Sequence, residues 1–416
     1  MGVGGMVGGG IFSVLGLSVQ MAGHAAPIAF ALGGLIALLT GYSYARLGLA
    51  FRSDGGSFTY LEHAFQHRTI AALGGWLLLV GYVGTLALYA YTFGVYGSAM
   101  LGADGDHSTL HHFLESLILL VFLSVNLYGV KAAGNTEDVI VLVKVVILSL
   151  FAVVGLFYIR ADHVLPVFDQ GAAGLLMGAA LIFVAYEGFE LIPNAVNEMT
   201  HPEKNLGRGI LISIVVTTAI YILVALVAVG NLTPGEISQY KEDALAVAAQ
   251  PFLGHAGFLL IGLGALLSTA SAINATLFGT ARLGKVMAEE DALPSVFSMR
   301  ERTRDIPWVS LCIITGVTLL FVNLGNLTVI SSFASSTFLL IFTSINLAAF
   351  RLYSTIGISR LAPLSGLLLC SSSWGVLCFY LWAHNRQALL WMGVFYAATI
   401  IIELLFSRRN RGLWFR

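Results

Sequence analysis

Charge is what this sequence has least of. Only 10% of its 416 residues are charged, against 57% hydrophobic, and the mean hydropathy is +0.87. A soluble domain carries about 25% charged residues. So few charges cannot clothe a water-facing surface of this size, which excludes a soluble globular protein. What remains is a polytopic helical membrane protein. Strands of a membrane barrel would show roughly ten-residue alternating segments, and these are absent. The net charge of −1 offers no basic excess for nucleic acid. Cysteine is also scarce. Cys312, Cys370 and Cys378 fall inside apolar stretches without metal-ligand spacing, so they read as small core residues. No basic segment precedes the first apolar stretch, which argues against a cleavable signal. No catalytic triad, phosphate loop or metal cluster stands out, so neither an enzyme nor a cofactor is expected. The histidines sit at helix ends or in loops and form no haem or metal ladder.

What is abundant is apolar stretches near the ~20 residues that a span requires. They are expected at 1–23, 25–48, 69–99, 112–130, 137–159, 172–199, 208–230, 252–280, 307–323, 327–350, 361–383 and 388–406. The cations test this division. Seventeen of the 21 Lys and Arg fall on one side, among them Arg46, Arg68, Lys204, Arg282 and Arg351. The other side holds Arg160, Lys241 and Arg386. By the positive-inside rule the first side, with both termini, is cytoplasmic. The remaining cation, Lys144, lies inside the fifth span.

Two spans carry interruptions. Val7-Gly8-Gly9-Gly10-Ile11-Phe12 is a glycine run inside an apolar segment. Its counterpart is Phe183-Val184-Ala185-Tyr186-Glu187-Gly188-Phe189-Glu190. A helix broken in mid-membrane bares N–H and C=O groups that lipid cannot satisfy, so they must face protein, a cavity or a ligand. The two breaks are expected to face each other. A break near Gly8 leaves only seven residues before it. These reach about 10 Å, short of the ~15 Å half-thickness of a bilayer core. An N-terminal stretch completing the first span is therefore expected to be missing from this sequence.

Two cytoplasmic loops, 49–68 and 281–305, mix aromatics, glycine and charge. They read either as short interfacial helices at a gate or as plain connections. Residues 102–112 hold Asp104, Asp106, His107, His111 and His112, and read as a solvated external loop rather than a metal site.

Taken together these segments resemble the amino acid–polyamine–organocation (APC) transporters. The resemblance is carried by Gly4-Gly5-Met6-Val7-Gly8-Gly9-Gly10-Ile11-Phe12, by Ala26-Pro27 and by Leu39-Thr40-Gly41-Tyr42-Ser43-Tyr44-Ala45-Arg46-Leu47. Ser53-Asp54-Gly55-Gly56-Ser57-Phe58-Thr59-Tyr60, Gly129-Val130-Lys131 with Lys144, and the 183–190 segment continue it in register. So do His201-Pro202, Ala281-Arg282 and Leu293-Pro294. The resemblance implies an all-α membrane protein with twelve transmembrane helices and a leucine-transporter-type 5+5 inverted repeat. Helices 1 and 6 would be broken. The first repeat would occupy 1–160, the second 171–350, and two additional helices 361–406, all within one transporter domain. Interrupted segments at corresponding places in two halves are the cue expected of such repeats.

An α-amino acid presents a carboxylate and an ammonium a few ångströms apart, and a broken helix offers a partner for each. Unpaired N–H groups near Gly8, Gly9, Gly10 and Ile11, at a positive dipole end, suit the carboxylate. Unpaired carbonyls near Gly5 to Val7, with those around Tyr186, Glu187 and Gly188, suit the ammonium. The alternative is that the glycines serve close helix packing. Phe183 and Tyr186 read as lids over substrate or as apolar core. Glu187 has three open roles: partner of a cationic side chain, proton carrier, or interhelical hydrogen-bonding group. The resemblance sets Lys144 behind helix 1 and helix 8, where a titratable positive charge can replace a sodium ion; desolvation disfavours its charged form. The other reading is snorkelling to the cytoplasmic interface. Ser268, Thr269 and Ser271 are hydroxyls at the same level, either partners of Lys144 or sodium ligands.

The expectation is a secondary transporter in the cytoplasmic membrane, moving amino acids by alternating access. Protons are the favoured coupling ion and sodium the less favoured one. An exchanger of cationic amino acids or polyamines is the nearest rival, and a channel the rival from another class. A channel would need a continuous polar lining, whereas the mid-membrane polar residues here are clustered. Oligomeric state is left open.

Overall fold

The computed structural model describes residues 2–53, 55–102, 109–129, 134–301 and 306–413. No strand occurs among them. A chain this poor in charge must satisfy its backbone within each segment, and the helix does so. In order, the helices are α1 (Gly2–Met6), α2 (Leu15–Ala22), α3 (Ala26–Ala50), α4 (Ser57–Phe65), α5 (Arg68–Met100) and α6 (Thr109–Tyr128). Next come α7 (Gly134–Leu156), α8 (Gly171–Leu181), α9 (Pro202–Asn231), α10 (Pro234–Tyr240) and α11 (Ala244–Glu289). The last four are α12 (Trp308–Leu324), α13 (Leu327–Arg351), α14 (Leu361–His384) and α15 (Arg386–Leu413).

Ten helical stretches among the described residues are long and apolar enough to cross a membrane. One of these, Gly10–Ala50, is 41 residues long and includes a turn at Gly23, whose φ of 58° favours glycine. The apolar helix α12 is shorter, with 17 residues. The chain is thus a multi-pass helical membrane protein.

The first helical run is interrupted early. α1 ends at Met6, Gly8 N–H folds back onto Met6 O at 2.8 Å, and a π-helical turn over Gly10–Val14 leads into α2. The 172–199 span, expected to be interrupted at 183–190, is likewise not a single α-helix. α8 stops at Leu181, a 3₁₀ turn covers Ile182–Tyr186, Glu187 is extended, and Gly188 takes φ 118°. A second 3₁₀ run, Phe189–Glu198, follows and contains Pro193. Hydropathy sees the length of an apolar run but not its hydrogen-bond ladder. The ladder ends where Gly188 leaves helical dihedrals and Pro193 removes a donor.

α5 lies at the centre and packs against α4, α6, α11, α12, α13 and α15. Burial separates core from rim. The apolar window of Gly171–Asn194 is 89% buried and that of α15 is 17% buried, so the former is interior and the latter faces outward.

Three sequence expectations are corrected. The eighth span, expected at 252–280, belongs to α11, a 46-residue helix with non-helical dihedrals only at Gly254. Its helix runs past the apolar segment through Arg282 and Lys285. The 281–305 loop therefore begins as helix and then makes a 3₁₀ turn at Ser295–Ser298; residues 302–305 lie outside the described residues. His111 and His112 are not in a solvated loop. They lie in α6, where His111 is 2% exposed beside the fully buried Glu115. Each histidine stands one helical turn from that carboxylate, at 3.2 and 2.8 Å. Asp104, Asp106 and His107 lie outside the described residues, as do Asp54, Val130 and Lys131. In the 49–68 loop, α4 forms, with Phe58 and Tyr60 buried.

Candidate functional site

The two interruptions meet. A Cβ added to Gly188 would stand 2.6 Å from Gly5 C, and one added to Gly10 would stand 2.5 Å from Ala185 Cα. Neither distance is tolerable, so glycine at 188 and at 10 is what allows the backbones to approach. The π turn packs directly on the 182–186 turn. Val7, Gly8, Gly9, Gly10, Ile11, Phe183, Tyr186, Glu187 and Gly188 all converge here, and all are buried.

The carbonyls of the first break are not free. Lys144 Nζ donates to Gly4 O at 2.7 Å and to Val7 O at 2.8 Å. Tyr89 donates to Gly5 O at 3.2 Å, and Tyr221 to Met6 O at 2.7 Å. Four successive carbonyls at the end of α1 thus have side-chain donors. This corrects the picture of bare acceptors between Gly5 and Val7: a helix end buried away from water needs partners, and here the protein supplies them. The opposite end differs. Gly8 N–H is already bonded to Met6 O, which corrects the expectation of an unpaired donor at Gly8, and Gly9, lacking a side chain, adds no cap to the π turn that follows.

Lys144 is fully buried in α7, and both α7 and α11 pack against α1. Its ammonium faces inward onto the break rather than snorkelling to an interface. Among the described residues Ser268 Oγ is buried without a hydrogen-bond partner, while Thr269 donates to Ala265 O in its own helix. Ser271 is only half-buried. No hydrogen bond joins Lys144 to Ser268 or Ser271 among the described residues, so the expected hydroxyl partners are replaced by carbonyls.

Glu187 is 1% exposed. Its Oε2 accepts from the Thr85 hydroxyl, and its Oε1 has no partner among the described residues. Three residues on, Glu190 closes the break locally: Oε2 accepts from Gly188 N–H at 2.7 Å and Oε1 from Tyr82 at 3.3 Å. Tyr186 donates to Phe30 O at 2.5 Å, which fixes its ring against α3. Phe183 packs edge-on to Phe342 at 5.6 Å. Both rings are sealed into the core in this closed arrangement.

Sequence reading missed the donors on α5. Tyr82, Thr85, Tyr89, Thr92 and Tyr96 recur at spacings of three and four, one stripe of a helix. Tyr96 donates to Phe12 O at 2.8 Å, beyond the break. Four members of this stripe thus bond to the interrupted segments. The spacing was visible in the sequence, but hydroxyls inside an apolar helix carry no hydropathy signal.

A buried junction of two interrupted helices in a multi-pass helical protein is the arrangement in which many membrane carriers place their substrate site. The amino acid permease family model matches residues 1–405, and the chain belongs to that family. An uncharacterised protein of Methanocaldococcus jannaschii is 34% identical over 98% of this chain and 93% of its own length. The inner membrane transport protein YbaT of Escherichia coli is 30% identical, over 99% of this chain and 95% of its own. The methylthioribose transporter of Bacillus subtilis is 29% identical, over 79% of this chain and 74% of its own.

Proposed function

We propose that this permease is a secondary active transporter that moves amino acids by alternating access and is driven by protons. The observation that carries the reading is the apposition of the two interruptions, with the close-packed glycine backbone at Gly10 on one side and a buried carboxylate, Glu187, across the junction. The N–H end suits a substrate carboxylate, and the carbonyl end suits an ammonium once its present donors are displaced. Lys144 supplies a fixed ammonium behind the break, which supports proton coupling over sodium. The architecture that accompanies this reading has twelve crossings and a leucine-transporter-type 5+5 inverted repeat over 1–160 and 171–350. Helices over 361–406 are appended, and both termini are cytoplasmic in the cell membrane.

The test is reconstitution into liposomes with the twenty labelled L-amino acids under imposed proton and sodium gradients. Saturable uptake of a subset, accelerated by an inward proton gradient and indifferent to sodium, is expected. Uptake that collapses without sodium removes the lysine–proton reading. Flux that neither saturates nor responds to substrate on the far side marks a channel instead. One observation favours a second reading, exchange of cationic amino acids or polyamines: Oε1 of Glu187, which has no partner among the described residues. Under it, arginine, lysine or putrescine on the far side should accelerate uptake without any proton gradient.

A further inference from the structure

Tyr221 of α9 touches both interruptions. Its hydroxyl lies 2.7 Å from Met6 O and 3.0 Å from Ala185 O. The side chain is fully buried, and its ring packs edge-on to Phe30 and Tyr186 at 5.6 and 5.5 Å. A hydroxyl carries a single proton. It can therefore satisfy only one of the two carbonyls fully at a time. An ammonium nitrogen in that position would lie at hydrogen-bond distance from both carbonyls, and it has three donors to give them.

We propose that the Tyr221 hydroxyl is a resident stand-in for the substrate's ammonium: it caps both interruptions in the empty carrier and yields to the ammonium when substrate binds. The inference rests on the amino-acid reading of the site. Binding exchanges a divided hydroxyl bond for two charge-assisted ones, which are roughly twice as strong as neutral ones. The empty carrier is held closed by its own side chain, and substrate competes with that contact. Affinity is then reduced by the fraction of carrier that is self-capped.

The experiment compares full-length wild type, Tyr221→Phe and Tyr96→Phe in nanodiscs. Tyr96→Phe removes a hydroxyl that bonds one interrupted helix at Phe12 O alone. The first arm needs no substrate. Deuterium uptake by the backbone around Met6–Gly10 and around Ala185–Gly188 should rise in Tyr221→Phe, in both segments together. Unchanged uptake overturns the cap. The second arm measures binding of each of the twenty L-amino acids and their 2-hydroxy-acid counterparts. Tyr221→Phe should bind its amino acids about fivefold more tightly, the size of one hydrogen bond. The hydroxy acids, which lack the ammonium, should show no such gain. Weaker binding by Tyr221→Phe means that the hydroxyl holds substrate and overturns the inference, as does equal tightening by Tyr96→Phe. Should Tyr221→Phe not purify as a monodisperse protein, Tyr221→Leu carries the same expectations. If no amino acid binds any of the proteins, the zwitterion reading fails and the displacement step with it. The exchange arm still decides whether the cap exists.

Discussion

Lys144 gives two carbonyls of a broken helix the same donor, so its hydrogen bonds and its charge can be separated. Lys144→Gln keeps a donor. It should melt within about 1 kcal/mol of wild type, while uptake loses its acceleration by an inward proton gradient. Lys144→Met leaves Gly4 O and Val7 O without their buried donor and should cost about 2–3 kcal/mol, read as a lowered midpoint of thermal unfolding. Gly188→Ala places a side chain at φ 118° and drives it into Gly5. Strain of about 1–3 kcal/mol from the dihedral alone, added to the overlap, should abolish uptake and lower the melting temperature. Glu187→Gln should alter the pH profile of uptake or the choice of side chain. Kinetics that stay the same across pH, with the same substrates, would remove Glu187 from the transport chemistry. The sequence made Lys144 and Glu187 legible because a lone charge in an apolar run has no cheap explanation. Tyr221 was not legible: a tyrosine in Ala-Ile-Tyr-Ile-Leu looks like any core aromatic until its hydroxyl is seen between two helix ends.

At the scale of elements, the spans were readable from hydropathy and their irregularities only from glycine. The run Gly8-Gly9-Gly10 marked the first interruption. The second was marked by the segment around Gly188 alone, and its extent, through Pro193 to Glu198, was not foreseen. His111 was misplaced for a related reason, its partner being Glu115. Each is costly alone, but one turn apart they offset each other, and α6 begins before its apolar stretch does. α11 likewise begins early, directly after Asp243. Burial pushes the Asp243 carboxyl up to about 6. The folded state therefore holds this proton more tightly than the unfolded chain does. Its stabilising effect is full below about pH 4 and is lost as pH rises through about 6. Asp243→Asn should melt higher than wild type at pH 8, by up to about 2–3 kcal/mol, and equally at pH 4. A difference that persists at pH 4 would point to packing instead.

Over the whole molecule, the cation asymmetry predicts sidedness. Single cysteines replacing His163 and Asp291, with Cys312, Cys370 and Cys378 changed to alanine, should be labelled from opposite faces of intact cells. Position 163 should react with an impermeant maleimide from outside, and position 291 only after permeabilisation. Labelling of both from one face would overturn the orientation. Family and multi-pass class were legible because they rest on motifs in register and on composition. The closed state of the junction was not, because sequence carries no record of which donors a carbonyl has at a given moment in a cycle.

One feature of α11 has a mechanical meaning. Past Gly254, from His255 to Glu289, it runs unbroken, 35 residues or about 52 Å by helical rise, longer than the roughly 40–45 Å of a whole bilayer. A rigid rod that outreaches the membrane is a lever with its fulcrum inside. Tilting it by about ten degrees around its middle swings each tip by roughly 4–5 Å, given that length. Its flank packs on α1, beside the junction, and its far end carries the loop whose Asp291 pairs with Arg68 at 3.3 Å. Small adjustments at the junction would therefore arrive at the rim that carries Asp291 and Arg68 as displacements large enough to part that ion pair.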